Sequence, residues 1–209
     1  KLQDYYFVKS KRDIIKDAFE VFVGVALRGD SGQFFTPRNI AELMVKIANP
    51  NEGSKLLDPA CGSGGFLTTA LDYIWNNIDT KYKGDIESIQ HHRKIVAENN
   101  IYGIDREAFL VQTTKAYMAI MGDGKSGILH GDTWRHENKN KFEQLKPVFK
   151  DGFDVIIANP PYGDKITIDD VNVLKHYKLS KKENKNGILS DLNTVNPEVL
   201  FTEYIINNL

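Results

Sequence analysis

The chain has 209 residues, 41% of them hydrophobic, enough for one sizeable α/β domain. Its 27 basic and 28 acidic side chains leave a net charge of −1, so no global excess of positive charge marks a nucleic-acid binder; any basic surface is local or lies on other segments or a partner. No apolar run reaches the roughly 18–20 residues of a membrane span, the opening KLQDYYFVKSKRD lacks the apolar stretch of a signal peptide, and the single Cys61 excludes an intramolecular disulfide, so a cytoplasmic protein is expected.

Residues 12–28 place Ile14, Ile15, Ala18, Phe19, Phe22 and Val23 on one helical stripe, which a loop at Gly29–Gly32 breaks. Pro37 can open a second helix over 38–48. The pattern then becomes alternating strands and helices: a strand at Lys55–Leu57 running into Asp58, a helix from Gly65 to Ile78, a polar stretch at 79–93, a strand at Asn100–Ile104, a helix at 107–121 and a strand at Gly127–His130. Phe153–Ala158, a β-branched run, carries the strongest strand signal. This rhythm predicts right-handed crossovers and a doubly wound, mostly parallel sheet. Residues 164–196 lack periodicity, with 181–187 (KKENKNG) the expected mobile piece, and a helix is expected from Pro197 to the last residue. The reading gives an N-terminal helical extension at 1–31 and one α/β domain at 32–209.

Chemistry concentrates where strands end. Asp58-Pro59-Ala60-Cys61-Gly62-Ser63-Gly64-Gly65-Phe66 follows a strand and opens a helix. Its glycines permit positive φ and close approach of a ligand to backbone N–H groups. Glycines at 62, 64 and 65 miss the G-x-G-x-x-G spacing of a dinucleotide site, so the loop is either a plain tight turn or a cradle for a compact, unphosphorylated nucleoside. Asp105, at the end of the second strand, can accept both ribose hydroxyls of such a ligand or cap the next helix. Asp132, after the third strand, belongs to a turn or accepts from an adenine amino group. Asn159-Pro160-Pro161-Tyr162 closes the fourth: the Asn159 side-chain oxygen and the Pro160 carbonyl can both accept from one –NH2 group, and Tyr162 offers a ring face for a flat heterocycle.

DPACGSGGF together with NPPY resembles the N6-adenine DNA methyltransferases, and Gly32-Gln33-Phe34-Phe35-Thr36-Pro37-Arg38 looks like their upstream cofactor motif, in the gamma order. The run RGDSGQFFTPRNI is most similar to the modification subunits of type I restriction systems; single-chain restriction–methylation enzymes share much of it. The resemblance covers 12–163 and, more weakly, 197–209. It implies a Rossmann-like fold that binds S-adenosylmethionine and a site-specific, adenine-specific DNA methyltransferase. Gln33, Phe34, Phe35, Thr36, Pro37 and Arg38 would then line the methionine end of the cofactor, and Asp58 with Gly62, Ser63, Gly64 and Gly65 its centre. Asp105 would take the ribose and Asp132 the cofactor's adenine, while Asn159, Pro160, Pro161 and Tyr162 would meet the target base. Implied partners are double-stranded DNA, a specificity subunit or target-recognition domain, and a restriction subunit.

Against the family, residues 79–98 read as an insertion, and the family's remaining strands and recognition region are not visible. The expectation is an excerpt whose last strand leaves an open edge at Val155, Ile156 and Ile157, and which binds DNA weakly on its own. Cys61 is expected to pack rather than attack, since no Pro-Cys pair exists. His91 and His92 lack a third ligand at useful spacing, so no metal is expected. Two other classes stay open: an amino or amide methyltransferase acting on RNA or protein glutamine, which lacks the QFFTP element, and a non-catalytic DNA-binding relative.

Overall fold

In a computed structural model, residues 36–121, 127–134, 150–163, 166–183 and 189–209 are described. The helix expected at 12–28 and the boundary at 31–32 lie outside them. The Pro37 carbonyl accepts the N–H groups of Ile40 and Ala41 and so starts α1 (Arg38–Ala48). Asn49, at φ 48°, closes it in the left-handed conformation. Ala41 and Val45 turn inward against α2 (Gly65–Lys81), whose buried residues run around most of its circumference, from Phe66 and Leu67 to Trp75 and Ile78.

Four parallel strands form the centre: β1 (Leu56–Asp58), β2 (Ile101–Asp105), β3 (Gly127–His130) and β4 (Val155–Ile156), in the order β3-β2-β1-β4. The two-residue period of a strand divides their side chains between two cores. Leu56, Ile101, Ile128 and Ile157 join the α1–α2 side, with Val111 and Met118 of α4 (Ala108–Met121). Leu57, Tyr102, Ile104 and Phe153 form the opposite core, against which Tyr204 of α6 (Pro197–Asn208) packs. Burial on both faces is why these strands read as continuous hydrophobic runs. The doubly wound, Rossmann-like fold is as expected.

Three details go beyond or differ from the sequence reading. Much of the polar stretch at 79–98 is helical: α3 (Ile86–Asn99), capped by the Asp85 side chain on the Ser88 N–H at 3.0 Å, packs on α2 through Val96 and Ala97. Trp75 donates its indole N–H to the Arg93 carbonyl at 3.0 Å, and Arg93 pairs with Asp79. The fourth strand is shorter than 153–158. The Phe153 N–H goes instead to the Asn208 carbonyl at 2.8 Å, and the prolines at 160 and 161 have no N–H to extend the ladder. Among the described residues no strand pairs with the outer side of β4. Its side chains, however, are directed into the two cores, Ile157 being buried and Val155 and Ile156 half-buried.

Third, 166–183 and 189–196 hold more regular structure than their composition suggests. A short α5 (Val171–Leu174) joins a separate cluster of Trp134, Val173, Leu174, Tyr177, Val195, Leu200 and Phe201, and β5 (Lys181–Glu183) pairs antiparallel with β6 (Leu189–Asp191). The Glu203 carboxylate binds this segment to α6 by accepting the N–H groups of Lys178 and Leu179 at 2.8 and 2.7 Å. Residues 184–188, most of the expected mobile piece, lie outside the described residues.

Gly103 sets the spacing between β2 and the helix layer. A Cβ there would stand 2.7 Å from Leu67 Cδ1 and 3.1 Å from both Cβ and Sγ of Cys61. Gly103→Ala should therefore lower the free energy of unfolding by about 1–3 kcal/mol through overpacking, read as a lower midpoint in chemical denaturation; an unchanged midpoint would contradict this packing.

Candidate active site

Because all four strands are parallel, their carboxyl ends share one edge of the sheet, the ligand edge of doubly wound folds. Asp58 ends β1 opposite Gly103, and Asp105 ends β2 opposite His130. The segments that follow are tied together there. The Asp105 carboxylate accepts the Gly62 N–H at 2.9 Å with one oxygen and the Glu107 N–H at 2.8 Å with the other. The Asp105 backbone carbonyl accepts the Gly131 N–H at 2.9 Å, next to Asp132, and Thr133 donates its hydroxyl to the Pro59 carbonyl.

Gly62 and Gly64 have φ of 53° and 86°, the left-handed conformation anticipated for this loop, while Gly65 begins α2. A Cβ on Gly62 or Gly65 would meet nothing within 4 Å, whereas one on Gly64 would come within 2.7 Å of Thr114 Cγ2. Open space thus lies over the loop at Gly62 and Gly65, and its rear is packed against α4. Cys61 is buried beside Gly103, with its thiol pushed well above the usual range chiefly by burial, as a packing residue would be.

Asp58 is 1% exposed. Burial pushes its carboxyl up to about 8, the Ala60 N–H at 3.0 Å pulls it down, and the charge of Asp105 raises it further. A carboxylate held this way ionises readily only beside a cation.

On the β4 side, Asn159 donates its side-chain N–H to the Thr36 hydroxyl at 3.1 Å, bringing together residues 123 apart in sequence. Pro37 caps α1, and Arg38 bonds Glu42 one turn on at 3.1 Å. Pro160 is half-buried, Pro161 exposed, and the Tyr162 ring 56% exposed. Gln33, Phe34 and Phe35 lie outside the described residues. Of the His91–His92 pair, His91 is exposed, while His92 stacks on Tyr82 at 4.3 Å and places its Nδ1 3.6 Å from Glu52. Sequence reasoning missed Thr114 and Thr133; the signal for Thr114 was one hydroxyl on an otherwise apolar stripe of α4.

A parallel sheet with a glycine-rich loop after its first strand and a carboxylate after its second is the arrangement of doubly wound α/β folds, whose ligands lie at the carboxyl ends of the strands. Within that class, the N-6 DNA Methylase family matches residues 10–209, and the chain belongs to that family. It is 30% identical over 166 residues to the type I restriction enzyme EcoEI methylase subunit of Escherichia coli (78% of this chain, 30% of that protein). It is also 30% identical over 169 residues to the MjaIX methylase subunit of Methanocaldococcus jannaschii (78% and 26%). Among solved structures, a modification subunit ascribed to a type I restriction enzyme of Vibrio vulnificus YJ016 superposes with a TM-score of 0.68 at 22% identity, over 93% of this chain and 35% of that one. The EcoKI M protein gives 0.56 at 17%, over 87% and 32%. The chain therefore spans about a third or less of the length of each of these four proteins.

The Asp58 environment makes a signed prediction. Its folded value lies above the ordinary aspartate value of 3.8, so the folded chain keeps a proton that the unfolded chain releases. This contribution is complete below pH 4 and is lost as pH rises from about 4 to about 8. Asp58→Asn should remove that loss, so the variant's stability relative to wild type should rise across this interval. Thermal melts of both proteins at pH 4, 6 and 8 would show it, and a constant difference would contradict the assigned burial.

Proposed function

We propose that this chain is the cofactor-binding and catalytic part of an S-adenosylmethionine-dependent methyltransferase that methylates the exocyclic N6 of adenine in DNA, within a restriction–modification system. The observation that carries the reading is the Asn159–Thr36 hydrogen bond. With the side-chain N–H of Asn159 committed to Thr36, its oxygen is left as the acceptor at the end of β4.

The residues present suit the cofactor. Open space over Gly62 and Gly65 gives room for a ligand against the loop, and a buried carboxylate at Asp58 suits the positive charge the cofactor carries. Each Asp105 oxygen keeps a lone-pair site beyond its backbone bond and can accept a ribose hydroxyl. Asp132 takes the adenine side, and Thr36 to Arg38, with Gln33, Phe34 and Phe35, the methionine end. S-adenosylmethionine supplies an electrophilic methyl group on a positively charged sulfur.

The amino lone pair of adenine is delocalised into its ring, so the nitrogen is a poor nucleophile. The Asn159 oxygen and the Pro160 carbonyl accept its two N–H bonds and favour a more tetrahedral nitrogen, aiming the lone pair at the methyl group. Catalysis is then positioning and electrostatics, with no covalent intermediate on the enzyme. The base must leave the duplex stack at a cost of a few kcal/mol, and the exposed Tyr162 ring offsets part of this by stacking.

Names of the relatives extend the reading. Several are methylase subunits of type I restriction enzymes, so the partners proposed are double-stranded DNA, a specificity subunit and a restriction subunit. With a net charge of −1, most of the DNA affinity is assigned to segments outside this chain or to those partners. No described helix is long and apolar enough to cross a membrane, and a cytoplasmic location fits a DNA substrate.

In the full-length protein, Asn159→Ala should leave S-adenosylmethionine affinity within about threefold of wild type while lowering methylation by at least a hundredfold, the scale of removing one oriented acceptor group. Tyr162→Phe should be mild and Tyr162→Ala should raise the DNA concentration required. Equal damage from both tyrosine variants would mean that the hydroxyl, not the ring face, does the work.

A further inference from the structure

The glycine-rich loop is held from behind by a residue that none of the family's motifs contains. Thr114, on α4, is fully buried in a stripe otherwise made of Leu110, Val111, Tyr117 and Met118. A helical threonine ordinarily returns its hydroxyl to the carbonyl four residues earlier. Thr69, Thr80 and Thr202 all do so, to Gly65, Asn76 and Glu198. Thr114 instead donates to the Gly62 carbonyl, 52 residues earlier in the chain, at 2.7 Å. Its methyl group fills the space behind Gly64, 2.7 Å from where a Cβ would stand.

Gly62 is thereby clamped at both polar groups of its backbone: its N–H by Asp105 from β2, its carbonyl by Thr114 from α4. Gly64 is fixed between the Thr114 methyl and a hydrogen bond from its own N–H to the Cys61 carbonyl at 2.8 Å. Two left-handed glycines on either side of Ser63 would otherwise sample many conformations, and a ligand would have to order them on binding.

We propose that Thr114 is a positioning residue for cofactor binding, holding the loop at Gly62–Gly64 in its ligand-ready shape before the cofactor arrives. The inference rests on S-adenosylmethionine being the ligand of this loop. Thr114 touches neither the target base nor the reacting atoms, so its contribution belongs to the cofactor's affinity and not to the methyl-transfer step.

The test uses the full-length protein, with titration calorimetry against S-adenosylmethionine and steady-state methylation of unmethylated DNA. Thr114→Val keeps the shape and removes only the hydroxyl. It should raise the cofactor Kd and KM by about three- to tenfold, the worth of one hydrogen bond, with kcat at saturation within about twofold. Thr114→Ser restores the hydroxyl and should recover most of the affinity. A Thr114→Val protein that melts earlier but binds as wild type does would overturn the proposal, leaving Thr114 a packing residue. A wild type that binds no S-adenosylmethionine would instead overturn the cofactor assignment. Should Thr114→Val not fold, amide exchange of the unliganded wild type decides. Equal protection of the Gly62 and Gly64 amides with and without cofactor supports a preformed loop, and protection appearing only on cofactor addition overturns it.

Discussion

The hydrogen bond from the Gly62 N–H to the Asp105 carboxylate joins the first crossover of the sheet to the end of its second strand. A parallel sheet brings its strand ends to one edge but does not fix the loops that leave them. Here a side chain from β2 takes hold of the loop after β1, and the backbone of the same residue holds Gly131 after β3. Three strand exits are thus referred to one aspartate. The left-handed conformations at Gly62 and Gly64, the open space over the loop and the burial of Asp58 follow from that attachment. An acidic residue at this place therefore has structural work even without a ligand, and its capacity to accept a ribose is additional.

The site divides into two groups of residues with different physical tasks. The Asp58–Gly65 loop, Asp105 and the 131–133 turn form a connected scaffold of backbone hydrogen bonds suited to a ligand of fixed shape. Asn159 to Tyr162, beyond the last strand, is stiffened by two prolines and ends in an exposed ring suited to a substrate that comes and goes. Thr36 links the second group to the segment before α1. This division separates variants expected to affect cofactor affinity from those expected to affect the chemical step.

Much of this was legible in the sequence because it lies in local rules. Pro37 opening α1, the short hydrophobic runs of β1 to β4 and glycines between Asp58 and Phe66 each specify their element with little help from tertiary context. What was not legible depended on distant partners. The polar 86–99 segment is a helix because Val96, Ala97 and Trp75 meet, and its surface charges conceal that narrow apolar side. The 166–196 segment owes its order to a small cluster assembled from Trp134, α5 and α6, and to the Glu203 carboxylate, none of which has a periodic signature. Phe153–Ala158 has the composition of a longer strand than it forms, because the Phe153 N–H goes to the end of α6 instead of the ladder. Within the site, the close approach behind Gly64 was not legible, since only the fold places Thr114 there.

We infer that this scaffold and the Asn159 acceptor serve methyl transfer to an adenine amino group. The direct measurement is incubation of the full-length protein, with its partner subunits, with S-adenosylmethionine labelled in the methyl group and unmethylated double-stranded DNA, followed by digestion to nucleosides. The account predicts label in N6-methyladenine alone. Label in methylated cytosine, in RNA or in protein, or no transfer by a protein that binds the cofactor, would contradict it.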